Sequence, residues 1–251
     1  MQNIEIQLIR NATLKVTYAG ETFLVDPMLS SPKSFRSFVK PEENLNPTVD
    51  LPFPTEKITQ GITAILLTHS HPDHFDPAAM EALPKDLPFY MQPPDLALVK
   101  NASFTKVETI HTSTIFEGIT ITRTGGKHGP KEILEQLGQV SGFVLQAINH
   151  PTIYIVGDCL WDDEIENNIK TYQPDIIITN SGGAVFMGKY RILMDEKETI
   201  KVAKTAPKAN IIAVHLESLD HCQTTREVLR TKAAKKTLNI LVPEDGEVIK
   251  M

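Results

Sequence analysis

Residues 65–76 read I-L-L-T-H-S-H-P-D-H-F-D, and no other stretch restricts the fold as strongly. His69, His71, Asp73 and His74 crowd together directly behind an apolar run. Neutral imidazole is the commonest protein ligand for zinc and related metals, and carboxylate oxygen complements it. Residues two apart on a strand share a face, so His69 and His71 aim the same way. Pro72 keeps His71 out of helical geometry, and the turn that follows brings Asp73 and His74 towards a neighbouring point. One such turn can serve two cations ~3.5–4 Å apart, the spacing that dinuclear hydrolases use. The bland alternative is a surface turn that happens to be rich in histidine.

The rest of the chain is compatible with a globular enzyme. Its 251 residues suffice for one large domain or two small ones, and 41% hydrophobic with 22% charged residues can form a sizeable core. A net charge of −6 disfavours a nucleic-acid partner, because phosphate binding needs a basic face. Cys159 and Cys222 are the only cysteines, which is no disulfide framework and suits a reducing compartment. The N-terminus, M-Q-N-I-E-I-Q-L-I-R, lacks the regions of a signal peptide, and no run approaches the ~20 apolar residues of a membrane span. A cytoplasmic protein without a membrane partner is the expectation.

Periodicity predicts strands at the start, with Ile4, Ile6 and Leu8 alternating and a hairpin turning at Gly20 between 14–19 and 21–26. Residues 27–59 carry Pro27, Pro32, Pro41, Pro47, Pro52 and Pro54, a density that opposes regular helix and interior strand. They read as a long ordered loop or lid with a helical turn at 32–39, in which Phe35, Phe38 and Phe53 anchor the loop or, as the alternative, line a pocket mouth. Further strands are expected at 64–68, 89–92, 106–110, 119–124, 142–148, 152–157, 175–179, 211–215, 240–242 and 247–249. Helices are expected at 76–83, capped by Asp76 before Pro77, and at 94–101, 162–172, 195–205 and 224–237. Two sheets with helices on their outer faces satisfy this order.

T-H-S-H-P-D-H-F-D resembles the H-x-H-x-D-H signature of the metallo-β-lactamase superfamily. The resemblance implies an α/β (α+β) fold, a four-layer αββα sandwich with the metal site at one edge between the sheets. It covers nearly the whole chain, so residues 1–251 are expected to form a single domain of this kind. G-G-K-H-G at 125–129 supplies His128, matching the third histidine of the first metal site; alone it reads as a loop histidine. Y-I-V-G-D-C at 154–159 supplies Asp158, which the resemblance makes the carboxylate shared by both metals; the alternative is a helix N-cap. I-I-A-V-H-L-E at 211–217 supplies His215, matching the last ligand of the second site, or otherwise a core histidine. The implied set is His69, His71 and His128 on one metal, and Asp73, His74 and His215 on the other, with Asp158 shared.

The opening L-I-R-N-A-T-L-K-V-T-Y-A-G-E-T-F-L-V-D-P is similar to the L-ascorbate-6-phosphate lactonase-like branch. There Asp26 would orient a ligand histidine through its free ring nitrogen, or simply form a turn with Pro27. H-L-E-S-L-D-H-C at 215–222 also resembles this branch, with Glu217 and His221 as groups that support ligands or act as acid and base. His221 reads equally as a surface helix cap. The flavodiiron-type pattern has a glutamate where this chain has His71, which disfavours redox iron.

These features imply a dinuclear hydrolase with two divalent ions, zinc or manganese and less so iron. A metal-activated water would attack an ester, lactone or phosphoester of a small-molecule substrate, such as a lactone or a phosphorylated sugar derivative. Asp73 would fix the second metal and accept a hydrogen bond from the nucleophile, and His221 would deliver a proton. The alternatives are a phosphodiesterase or nuclease-type hydrolase, and a metal-binding sensor or scaffold without turnover. Lys33, Arg36, Lys40, Lys127, Lys189 and Arg191 are candidates for an anionic substrate group, or plain surface charge. His111, His150 and Cys159 read as structural or surface residues, and a thiolate role stays open for Cys222. Lactonase-like relatives assemble, so a homo-oligomer is compatible with the resemblance.

Overall fold

Ile6 and Leu8 on strand Glu5–Arg10, and Leu14, Val16 and Tyr18 on strand Thr13–Tyr18, are buried on one face. Period-two alternation produces that face. Glu21–Val25 pairs antiparallel with Thr13–Tyr18, and Ala64–Leu67, Phe89–Met91 and Val107–Thr109 add to it in parallel. Val248–Lys250 closes the far edge and completes a seven-stranded sheet. The computed structural model describes residues 4–251; Met1, Gln2 and Asn3, part of the leader reading, lie outside the described residues.

The second half repeats the scheme. Ser113–Phe116, Ile119–Thr124, Gly142–Gln146 and Ile153–Ile155 are antiparallel neighbours. Ile176–Asn180, Asn210–Val214 and Ile240–Leu241 then extend the sheet in parallel to seven strands. Parallel strands covered on both faces read as unbroken apolar runs, and both A-I-L-L at 64–67 and I-I-I at 176–178 are buried throughout.

Alternate residues of these runs serve different layers. Ala64 and Leu66 meet Phe143, Ile155 and Ile178 in the core between the sheets. Ile65 and Leu67 instead pack under Ala79 and Val99, from helices Pro77–Ala82 and Leu96–Asn101. On the other outer face, Tyr154, Ile177 and Ile211 pack under Ile165, Ile169 and Val202, from helices Asp163–Tyr172 and Glu196–Thr205. The order helix, sheet, sheet, helix is the expected αββα sandwich. Among the described residues no helix is long and apolar enough to cross a membrane.

The proline-rich stretch differs from its sequence reading in two places. No helical turn occupies 32–39; Phe35–Arg36 instead pairs with Asn44–Asn46 as a small hairpin. The Ser37 hydroxyl accepts from the Val39 and Lys40 amides, satisfying them locally in place of a helix. The helix of this stretch lies at Thr55–Thr59, behind Pro54, where a preceding proline costs no hydrogen bond. Strand Ser113–Phe116, helix Leu134–Leu137 and the hairpin Val185–Phe186 with Tyr190–Arg191 carry too few apolar residues for periodicity to find them.

Candidate metal centre

The ligands predicted from sequence all leave the sandwich at one edge. Thr68 to His74 follow strand Ala64–Leu67, Asp158 follows Ile153–Ile155, His215 follows Asn210–Val214 and His128 follows Ile119–Thr124. Donor atoms of His69, His71 and His128 lie within 4.8 Å of one another, as do those of Asp73, His74, Asp158 and His215. All but His71 are buried. Asp158 faces both groups: its Oδ2 is 3.2 Å from His74 Nε2, 3.6 Å from His215 Nε2 and 3.9 Å from His128 Nε2. Asp158 caps no helix; the following helix is capped by Asp162.

His74, His128 and Asp158 are held from behind. Asp26 accepts from His74 Nδ1 at 2.9 Å and from the Thr68 amide and hydroxyl at 2.7 Å, which leaves His74 Nε2 directed at the cluster. His128 Nδ1 lies 2.9 Å from the Ile192 carbonyl, and the Asn180 amide donates to Asp158 Oδ1 at 2.6 Å. His215 Nε2 is 3.2 Å from Asp73 Oδ2, while its Nδ1 lies 3.7 Å from Cys222 Sγ. Burial pushes the Cys222 thiol up, against the pull of His215, so it stays a thiol at neutral pH. The Asn11 side-chain amide donates to the Asp73 main-chain carbonyl at 3.0 Å, and the Asn11 main-chain carbonyl accepts the His215 amide at 2.8 Å, linking the two ligand turns.

Backbone geometry carries part of the cost of convergence. Asp26 and His215 have φ of 45° and 61°, left-handed values that side-chain-bearing residues seldom adopt. Gly157, immediately before Asp158, has φ of 76°, and a Cβ there would stand 2.4 Å from the Ser141 carbonyl oxygen.

The donor set suits cations. His74 Nε2 is buried with no hydrogen-bond partner, although Asp158 Oδ2 and Asp73 Oδ2 stand 3.2 and 3.6 Å away. Burial alone would lower the His74 pKa, but Asp158, Asp73 and Asp26 together push it up to about 10. His215 is likewise held well above the usual range, its burial outweighed by Asp158 and Asp73. Both carboxyls are held low despite burial, by His74 and His215. Protons on two imidazoles thus balance two buried carboxylates where a dication would do so. His69 is pushed well down by burial and by His74, and His128 down to about 4 by burial, so both present the lone pair a metal needs.

Of the remaining candidates, Glu217 lies apart from the cluster and His221 and Phe38 lie beside it. Glu217 is exposed, and its carboxylate accepts from the Arg226 amide and guanidinium at 3.1 and 2.7 Å. Its carboxylate is thus engaged by Arg226 and not by a side chain of the cluster. His221 is buried and no surface cap: it borders a cavity of about 200 Å³ beside the cluster, with its ring 4.4 Å from that of Phe38. Phe38 therefore takes the cavity-lining alternative over anchoring; Phe53 anchors, packing into the core beneath the first sheet's helices. Asn11, Thr68 and Asn180 escaped the sequence reading, although T-N-S-G-G at 179–183 repeats the pattern of a polar turn after an apolar strand.

Residues 21–216 match the family model described as Beta-lactamase superfamily domain. The UPF0173 protein YddR of Bacillus subtilis (strain 168) is 39% identical over 250 residues, covering 97% of this chain and 98% of that protein. A UPF0173 metal-dependent hydrolase of Xanthobacter autotrophicus is 24% identical over 74% of each. Among solved structures, an isothiocyanate hydrolase from Delia radicum gut bacteria superposes with a TM-score of 0.91 at 36% identity, over 98% of both chains. A possible metal-dependent hydrolase from Veillonella parvula DSM 2008 gives 0.95 at 33% identity over the full length of both. With the ligand turns, the sandwich and these full-length relatives in agreement, the chain belongs to the metallo-β-lactamase superfamily and, within it, to the UPF0173 metal-dependent hydrolase family.

Proposed function

We propose that this protein is a dinuclear hydrolase of small uncharged molecules, with isothiocyanates as its substrate class. The cavity beside the ligand cluster carries this reading. His71, Asp73, His128, Asp158 and His221 line it together with the apolar Phe38, Leu137, Phe186 and Ile192. No Lys or Arg is among its lining residues. Lys127 pairs with Asp162, Lys40 with Glu43 and Arg191 with Glu198, Lys189 lies over the Tyr190 ring, and Lys33 and Arg36 are exposed. A phosphorylated sugar or a phosphodiester would have only the metal cations, and no Lys or Arg of the lining, to meet its charge, which favours an uncharged substrate. The similarity to an isothiocyanate hydrolase over nearly the whole chain supports the class. A small lactone is the second reading, because it too is uncharged and needs no Lys or Arg in the lining.

In this reading His69, His71 and His128 hold one divalent cation, Asp73, His74 and His215 hold a second, and Asp158 is shared. When bound, the cations, zinc or manganese before iron for nitrogen and oxygen donors, supply a water of lowered pKa and polarise the attacked group. Asp26, Asn180 and the Ile192 carbonyl keep the ligand side chains aimed. Asp73 accepts a hydrogen bond from the attacking water. That oxygen would bond to the central carbon of R–N=C=S as the water gives up a proton, the C=N electron pair would move to nitrogen, and nitrogen would take up that proton. The resulting thiocarbamic acid breaks down to the amine and carbonyl sulfide. His221 is pushed down to about 4 by burial, despite the nearby Asp73, so it is neutral at pH 7. It serves the substrate nitrogen as a neutral hydrogen-bonding ring and not as an imidazolium acid.

The test is an assay of protein loaded with zinc or manganese against benzyl isothiocyanate, a small γ-lactone, a phosphorylated lactone and bis-p-nitrophenyl phosphate. Amine release from the isothiocyanate is expected, with metal content of about two per chain. In Asp158→Ala the content should fall to one or less and turnover by at least about 100-fold. Lactone turnover alone would select the second reading. Inertness on all four with both cations bound would reject catalysis and favour a sensor.

A further inference from the structure

Two aromatic residues from distant segments flank the cavity, and both segments are fastened to the turn that carries His221. Phe38 comes from the 35–46 hairpin, its ring 4.4 Å from His221 and 6.1 Å from Phe35. Phe186 comes from the hairpin Val185–Phe186 with Tyr190–Arg191 and packs against Ile192 and Leu137. The Val185 amide donates to the His221 carbonyl at 3.1 Å. Asp220 fastens the opposite segment. Its carboxylate accepts from the Ser37 hydroxyl, from the Phe38 amide at 3.3 Å and from the Asn46 side chain at 2.9 Å. Its own amide donates back to the Asn46 side-chain carbonyl at 3.0 Å.

The residues next outward are apolar and exposed. Val39 is 56% exposed and Met187 is 68% exposed, each adjoining one of the two phenylalanines. Exposed apolar side chains on the two segments that carry the cavity's phenylalanines suit contact with an apolar ligand.

We infer that Phe38 and Phe186 form a collar that grips the apolar arm of the substrate and sets selectivity for arm length, with Asp220 as the positioning residue that fixes Phe38. The inference rests on the small-substrate hydrolase reading and deepens it. The reacting group meets the ligand cluster at the cavity floor, while the arm passes between the rings. Asp220 never touches substrate; it acts by ordering Ser37, the Phe38 backbone and Asn46 together.

The experiment compares phenethyl with ethyl isothiocyanate on the metal-loaded protein and on Phe38→Ala, Phe186→Ala, Asp220→Ala and Phe38→Leu. The wild type should favour the phenethyl substrate in kcat/KM by at least about tenfold, the scale of one buried aromatic contact. Each alanine variant should lose most of that preference, with kcat/KM for the phenethyl substrate falling by at least about fivefold more than kcat/KM for the ethyl substrate and the difference lying in KM. Phe38→Leu should keep part of it. Combining Asp220→Ala with Phe38→Ala should add little to either, because both remove the same ring from its place. A uniform fall on both substrates, or an unchanged preference, overturns the collar. A second readout separates the collar from the substrate class: the affinity ratio of 2-phenylethanethiol to ethanethiol, inert cation-seeking probes, measured by calorimetry. If isothiocyanates are not hydrolysed but this ratio collapses in the variants, the collar stands and the isothiocyanate class falls. If the ratio is the same in variants and wild type, the collar falls whatever the enzyme hydrolyses.

Discussion

At the scale of one residue, His74 shows how a buried site handles charge. Its Nδ1 is taken by Asp26, and its Nε2 stands among oxygens of Asp158 and Asp73. Without a cation the ring holds a proton up to about pH 10, although burial opposes it. The consequence for stability has a definite sign. The folded pKa lies above the ordinary value of 6.5, so the proton stabilises the fold fully below about pH 6.5, and that contribution is lost as pH rises through about 10. His215 shifts in the same direction and adds to it. In the loaded protein a cation replaces these protons, and the same loss does not occur. Urea denaturation of chelator-treated and loaded protein at several pH values between about 6 and 10 should therefore show the gap between their midpoints widening with pH. Lysines and tyrosines that titrate in that range affect both forms and cancel in the difference. A gap that stays constant would mean that His74 is not charged in the metal-free fold.

At the scale of the element, the unit of this site is a strand end followed by a tight polar turn. The sequence makes these turns legible because each begins where an apolar run stops, as in I-L-L-T-H, I-V-G-D and I-I-A-V-H. The same signal placed both sheets, since Ile65 with Leu66 and Ile176 with Ile177 are buried on opposite faces. What stayed illegible is set by distant partners. The hairpin at 35–46 takes its shape from Asp220, which is 183 positions from Ser37. Glu217 is drawn away by Arg226, a pairing that no spacing rule announces. Gly157 tests the turn geometry directly. Its φ of 76° and its approach to the Ser141 carbonyl leave no space for a methyl group, whereas Gly118, at φ 81°, has open space around it. Gly157→Ala should cost at least about 2 kcal/mol and lower metal content, whereas Gly118→Ala should cost about 1 kcal/mol and leave metal unchanged. Urea denaturation and metal analysis read both. Equal costs at the two positions would show that the turn before Asp158 yields without strain.

At the scale of the whole molecule, the two sheets contribute unequal shares to one site. The first supplies His69, His71, Asp73 and His74 from a single turn, and the second supplies His128, Asp158 and His215 from three. A cation pair there would join the sheets along one edge, while the apolar core between them holds the remainder. Chelation is thus expected to loosen an edge and leave the sandwich folded. Ligand linkage contributes about 2.7 kcal/mol when the free cation is 100 times its dissociation constant, which for a chain of this size is a fall of roughly 5–10 °C in Tm. Position makes the prediction sharper than the temperature does. The His74 amide donates to the His71 carbonyl and the His215 amide to the Asn11 carbonyl, both within the ligand turns. The Ile65 amide donates to the Pro88 carbonyl and the Ile176 amide to the Thr152 carbonyl, at or near the starts of the same sheets' parallel strands. Hydrogen exchange after chelation should accelerate at His74 and His215 and stay slow at Ile65 and Ile176, because local opening needs no disruption of the core. Equal acceleration at all four amides would mean that the cations hold the entire sandwich together. No change at any of them would mean that the edge is already held by Asn11, Asp26 and the charge pairs alone, leaving the cations to chemistry.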